Sequence, residues 1–374
     1  MYVKAGGWCR PKAVGAMIAV LTATIFASAV PSTVSATTPD VLVRPALQSA
    51  RAPTSVMLAV TRADKRIVAV GERGIALWSD DEGKTWQQAQ VPVSVSLTNV
   101  RFADAKHGWA VGHSGVVLRS DDGGATWSKQ LDGIQAAQLM LAAAKAGLPG
   151  AGRDSGTAVA NAERLIKEGP GKPFLDVYAF DAQRALIVGA FGLAYTTQDG
   201  GATWAPALDR IDNPQGKHLY AVTAQGKGYV IAGEMGAVLS SIDGGNDFTS
   251  LTTPYEGSYF GALEGAAGTM IVYGLRGNVY WSNDAGANWK KSVLGTTGTI
   301  TAGLRLASGK IVLLDDGGRV LASDDDGRHF TLAPVAQSAP YTGVVQTSDG
   351  SLVLSGVRGM TRVAFDGSAK AKTP

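Results

Sequence analysis

Hydrophobic positions along this chain fall into two kinds of run. One is long: "AVGAMIAVLTATIFASAV", from Ala13 to Val30, is apolar and uncharged. The others are short bursts between turn residues, and they recur. From Thr98 to Leu131 they read "TNVRFA", "GWAVG", "VVLRS" and "TWSKQL". Each has the length of a strand and is bounded by turn-forming residues. Four strands of roughly 5–6 residues joined by loops of roughly 2–5 occupy about forty residues, the period of a propeller blade rather than a solenoid coil.

The same block is written repeatedly. "SDDEGKTW" (Ser79–Trp86), "SDDGGATW" (Ser120–Trp127) and "TQDGGATW" (Thr197–Trp204) align on one aspartate. So do "SIDGGNDF" (Ser241–Phe248), "SNDAGANW" (Ser282–Trp289) and "SDDDGRHF" (Ser323–Phe330). The aligned pairs are Asp81 and Trp86, Asp122 and Trp127, Asp199 and Trp204, Asp243 and Phe248, Asp284 and Trp289, and Asp325 and Phe330. The aspartates are spaced by 41, 77, 44, 41 and 41 residues, so one interval holds an insertion. A G-x-x-G turn precedes each copy, at Gly71, Gly112, Gly189, Gly233 and Gly274, degenerate at Asp315, with a seventh at Gly356. Seven units predict an all-β, seven-bladed β-propeller. The seventh unit lacks a fourth strand, and "DVLVRPA" (Asp40–Ala46) is expected to supply it and close the ring.

The repeated letters read as structural. The aspartate can accept backbone N–H groups across the turn, the glycine takes a backbone angle other residues resist, and the Trp or Phe packs between blades. Calcium would need several oxygens converging in one loop, whereas each turn has one aligned carboxylate. The string is the Asp-box of bacterial neuraminidase repeats. The longer pattern "VRFADAKHGWAVGHSGVVLRSDDGGATW" (Val100–Trp127) resembles the photosystem II stability/assembly factor family. That resemblance runs over nearly the whole mature chain and is read as that of a bacterial member. It implies a seven-bladed propeller of the thylakoid lumen or periplasm. It also implies an assembly chaperone, which in oxygenic phototrophs serves a newly inserted reaction-centre protein. This chain departs from the cyanobacterial pattern in having no lipidation cysteine and in carrying an insertion.

Charge and cysteine content narrow the setting. Lys4, Arg10 and Lys12 precede the long apolar run, and "VSA" (Val34–Ala36) follows it, the layout of a cleaved secretory signal over residues 1–36. An uncleaved N-terminal anchor is the alternative. Removing those three from 34 basic residues leaves 31 against 31 acidic, so residues 37–374 are formally neutral. Neutrality argues against nucleic acid as a partner. The single cysteine, Cys9, lies in the leader, so the mature domain is expected to hold no disulfide and no cysteine metal ligand. The four histidines (His107, His113, His218, His329) have no metal-ligand spacing. No cofactor is expected.

Function should lie in the letters that differ between copies. Antiparallel blades place Asp-box turns on one face and G-x-x-G turns with the inter-blade loops on the other. The varying residues of those turns are Glu72, Arg73, His113, Phe191, Glu234, Met235, Arg276 and Arg358. Arg73, Arg276 and Arg358 occupy one position in units 1, 5 and 7, a set suited to carboxylates, phosphates or an acidic peptide. The plainer alternative is solvated turn residues paired with Glu72 or Glu234. The insertion, residues 132–172, lies between blades 2 and 3 and reads as a helical hairpin over the mouth. Ile134, Ala137, Leu141 and Ala144 keep helical spacing, and Asp154 and Ser155 offer a cap for the second helix. It is either a lid, a docking pair or a neutral decoration.

Asp-box propellers include sialidases, which opens an enzyme reading. The three arginines mimic a carboxylate-binding triad, but Tyr255 and Glu256 are adjacent and point apart. The expectation is therefore a non-catalytic, periplasmic, monomeric scaffold for a protein partner. A glycan-binding or sialidase-like propeller is the alternative.

Overall fold

The computed structural model describes residues 39–152, 155–335 and 338–365. The leader at 1–36 and the cap at Asp154 fall outside them. The chain forms a seven-bladed β-propeller whose sheets are antiparallel apart from a short strand, Val293–Leu294, added in parallel to the outer edge of blade 6. Blade 1 consists of Met57–Ala63, Arg66–Gly71, Ala76–Ser79 and Gln87–Gln88. The inner strands of blades 2 to 7 are Leu97–Phe102, Phe174–Ala179, Leu219–Gln225, Tyr259–Glu264, Ile300–Arg305 and Tyr341–Gln346, and each meets its neighbours around the ring. Threonine hydroxyls stitch several of them together: Thr98 donates to Phe174 O (2.7 Å), Thr301 to Tyr341 O (2.8 Å) and Thr342 to Met57 O (2.8 Å).

Second strands such as Gly108–Gly112 and Ala185–Gly189 are buried at every residue. Blades stack on both of their faces, so their apolar runs are continuous rather than alternating. Fully burying each aliphatic side chain there contributes roughly 1.5–3 kcal/mol.

The Asp-box turns close on themselves. Asp122 accepts from Ser120 Oγ (2.8 Å), Thr126 N (3.0 Å) and Thr126 Oγ1 (2.6 Å), and Ser120 Oγ accepts from Gly124 N (2.8 Å). In three other copies the side chain just before the aromatic (Thr85, Thr203, Asn288), helped by backbone N–H groups, holds Asp81, Asp199 and Asp284 at a pKa of about 2. The aromatic of each copy joins a core cluster shared with the preceding blade. Trp127 lies with Val68 and Val70, and Trp86 with Val345 and Val353 across the closure.

The expected closing strand does not form. Asp40–Leu42 is a 3-10 turn, and blade 7 has only Tyr341–Gln346, Leu352–Gly356 and Gly359–Val363 among the described residues. The segment is held at the blade 1–blade 2 junction instead. Leu42 and Ala46 are buried with Val91 and Val93. Ala46 N donates to Val91 O (3.0 Å), Ser94 N to Val41 O (2.9 Å) and Lys129 Nζ to Leu42 O (3.1 Å). Pro45 has no N–H to offer a ladder, and burying Leu42 at the junction outweighs edge pairing. The ring closes by side chains: Arg62 Nη1 donates to Gln346 O (2.8 Å), Ser348 N to Glu82 (3.2 Å) and Arg362 Nε to Glu82 O (3.1 Å).

The insertion folds as helices α1 (Gly133–Lys145) and α2 (Ser155–Glu168). Asp132 caps α1, accepting from Ile134 N and Gln135 N (both 3.1 Å), while Gln135 accepts from Asp132 N (3.0 Å). Ala136, Ala137, Met140, Ala143 and Ala144 form the buried face of α1. Ala136, Ala143 and Met140 carry most of the contact with the blades, while Ile134 and Leu141 pack against the blade cores only partly buried. Tyr195 Oη donates to Ala136 O (2.7 Å), centring the hairpin on the blade 2–blade 3 junction.

Candidate functional site

The G-x-x-G turns sit on the face opposite the Asp-boxes, and their glycines are there because the backbone is crowded. A Cβ on Gly112 would lie 2.3 Å from Ser96 O, and one on Gly115 2.6 Å from Gly133 Cα. In blade 2 backbone bonds fix the turn, His113 N donating to Ser96 O (2.9 Å) and Val116 N to His113 O (3.3 Å), and in blade 5 Asn278 Nδ2 also donates to Leu275 O (2.9 Å).

The third letter of the turn has a left-handed backbone in five blades: Arg73 (φ 56°), Ser114 (57°), Phe191 (57°), Met235 (51°) and Arg276 (57°). Side chains there carry a cost of about 1–3 kcal/mol each. Arg358 differs, lying with Val357 in a two-residue hairpin turn closed by Gly359.

Arg73, Arg276 and Arg358 are all exposed, and none has a side-chain partner among the described residues. Glu72 and His113 are exposed beside them. Glu234 does not pair with an arginine; its carboxylate stands 3.5 Å from His218 Nδ1. Blades 7 and 1 adjoin, so the turns of Arg358 and Arg73 are neighbours, while Arg276 is two blades from Arg358.

Phe191 and Met235 are apolar yet 57% and 60% exposed. Phe191 begins an edge-to-face aromatic row: Phe191 to His218 (4.8 Å), His218 to Tyr220 (6.2 Å) and Tyr220 to Phe260 (5.1 Å). The row runs from blade 3 along the inner strands of blades 4 and 5. Burial, with Glu234 adding to it, raises the Tyr220 hydroxyl pKa.

Beside Phe191 the α-hairpin, the blade 3 turn and the loop at 208–216 line a cleft of about 740 Å³. Its apolar lining includes Met140, Ala158, Ala162, Leu165, Leu193 and Ile211, and Arg164, Glu168 and Lys172 are its charged groups.

Sequence reading missed this row, the cleft and one buried carboxylate. Asp176, fully buried in the inner strand of blade 3, accepts from Asn99 Nδ2 (2.6 Å), Val177 N (2.8 Å) and Val222 N (2.7 Å). Burial pushes its pKa up, and Arg101, with Nε 3.9 Å away, opposes that. It ties blades 2, 3 and 4. The available signal was a lone acid inside the apolar run "FLDVYA". The histidines stay apart, and among the described residues no cluster of His, Cys, Asp or Glu could hold a metal ion.

The fold matches known proteins. Solved propellers that resemble it include one described as YCF48 bound to D1 peptide (16% identity, 86% of this chain and 99% of that chain, TM-score 0.58). Another is YCF48 from Cyanidioschyzon merolae (18% identity, 85% and 97%, TM-score 0.60). The WD40 propeller of Doa1 is as similar in shape (10% identity, 88% and 97%, TM-score 0.60), so these likenesses speak to fold alone. No curated protein matches the chain. The family model described as photosynthesis system II assembly factor YCF48 matches residues 78–144 and 164–333, more than half of the sequence. By that match, the chain belongs to the YCF48 assembly-factor family.

Proposed function

We propose that this chain is a non-catalytic, exported scaffold that binds a protein and assists the assembly or stability of a membrane complex. The observation that carries the reading is the arginine set. Arg73, Arg276 and Arg358 are exposed on three turns of one face, with no side-chain partner among the described residues. Guanidinium groups with open donors suit carboxylates of an acidic segment. Glu72, His113, Phe191 and Glu234 complete the face. Family membership supports an assembly role, and a relative bound to a peptide supports a protein partner. Residues 1–36 serve as the export signal, residues 37–374 form one propeller acting as a monomer, and the periplasm is its place of work. Among the described residues no helix is long and apolar enough to cross a membrane.

The test is crosslinked capture from the host's solubilised membranes, comparing wild type with the Arg73→Ala, Arg276→Ala, Arg358→Ala triple variant. A membrane protein held by wild type and lost by the folded variant is the expected result. Equal capture by both would return the arginines to solvated turns. Turnover of a fluorogenic sialoside, lost in Arg276→Ala, would replace the scaffold with the sialidase-like alternative.

A further inference from the structure

We infer that the α-hairpin and the Phe191 turn form a docking cleft for an extended segment of a partner protein, one that carries an apolar anchor residue beside an acidic one. The inference rests on the protein-binding reading above and adds where the partner is gripped and what it must contain.

The first argument is shape and lining. The cleft of about 740 Å³ falls in the size range of ligand pockets, roughly 300–1,000 Å³. Met140, Ala162, Leu165, Phe191, Leu193 and Ile211 give it an apolar wall. Phe191 exposes its ring from a left-handed backbone (φ 57°), a conformation that a glycine would hold without cost. Strain kept at an exposed apolar residue points to use rather than to folding.

The second argument is charge. Lys172 Nζ lies 5.0 Å from the centre of the Phe191 ring and bonds to Glu168. Arg164 Nε stands 3.8 Å from the same carboxylate. Two cations share one anion at the rim, so the complement is acidic.

The third argument is extent. The row from Phe191 through His218 and Tyr220 to Phe260 leads away from the cleft to blade 5, whose turn carries Arg276. An extended chain, rising about 3.3 Å per residue, can cover such a row; a compact small molecule fills the cleft alone. Finally, the family match is interrupted at residues 145–163, and Ala158 and Ala162 of the cleft wall belong to that interruption. One wall of the cleft thus lies outside the stretches that match the family, and it would set partner choice separately from the arginines.

The experiment selects random dodecapeptides displayed on phage against the purified full chain, then measures fluorescein-labelled versions of the enriched sequences by anisotropy. Enrichment of Leu, Phe or Met within two positions of Asp or Glu is expected. Affinity should fall at least tenfold in Phe191→Gly, whose backbone suits the substitution and whose thermal midpoint should hold. It should also fall at least tenfold in Leu165→Glu, which places an anion in the cleft, and about threefold in Lys172→Gln. No enrichment overturns the cleft. So does binding that survives Phe191→Gly and Leu165→Glu while the arginine triple variant loses it, a result that leaves the scaffold reading standing. Phenylacetate binding as tightly as the selected peptides would make the cleft a small-molecule site and would also overturn the inference. Peptide binding that fails only in the cleft variants, beside equal membrane capture by wild type and the arginine variant, would retain the cleft and sink the arginine reading.

Discussion

The two faces of the propeller carry the same kind of feature, a tight turn repeated around the ring, and use it in opposite ways. On the Asp-box face the side chains build the turn. Asp122 accepts three bonds and Ser120 bridges to Gly124, leaving these groups little free capacity. On the other face glycines and backbone bonds build most of each turn, and the third side chain reaches solvent and gives the turn no bond. Letters that fold the protein therefore repeat, and letters released from folding vary. A repeat protein separates stability from recognition in this way, and the separation can be tested residue by residue.

The largest expected effect is on the folding face. Trp127→Ala removes a buried indole shared by blades 1 and 2 and should cost about 3–5 kcal/mol, read from the urea midpoint. Leu42→Ala should cost about 2–4 kcal/mol, because that side chain is buried at the same junction. Were residues 39–46 a loose tail, the loss would be near zero. Asp122→Ala, which strips charge-assisted bonds from one turn, should cost about 1.5–3 kcal/mol. Smallest is Arg73→Gly: at φ 56° the substitution should be neutral or stabilise by up to about 1 kcal/mol. A loss above 2 kcal/mol there would erase the contrast between the faces.

Acid sharpens the same contrast. The folded pKa values of Asp81, Asp199 and Asp284 lie at about 2, below the unfolded value of roughly 3.9. Their contribution is complete above pH of about 4 and is lost as pH falls through about 2. Asp176 runs the other way, since its raised folded pKa makes its ionisation at higher pH unfavourable to the fold. Stability measured from pH 6 to 2 should fall most steeply below pH 4, and an Asp81→Asn variant should flatten part of that slope.

Much of the fold was legible because it is periodic. Blade count and the helical character of the insertion follow from spacing and residue pattern. The position of Asp40–Ala46 was not, because counting strands says which blade lacks one but not where Leu42 finds a better-buried site. The candidate site was legible only in part. The arginines share a place within each repeat, so alignment of the copies finds them. Asn99 and Asp176, or Phe191 and Phe260, belong to different blades and share no local pattern. Their meeting is a consequence of ring closure, which no window of sequence contains.

The most direct test of the separation is the amount of partner captured per folded molecule by an Arg73→Gly, Arg276→Gly, Arg358→Ala triple variant. The glycines suit the left-handed positions of residues 73 and 276, so the unfolding midpoint should stay within a few degrees of wild type. The account expects intact folding with capture from solubilised membranes reduced at least tenfold. Undiminished capture by the folded variant would contradict it, as would a variant that loses its fold along with its partner.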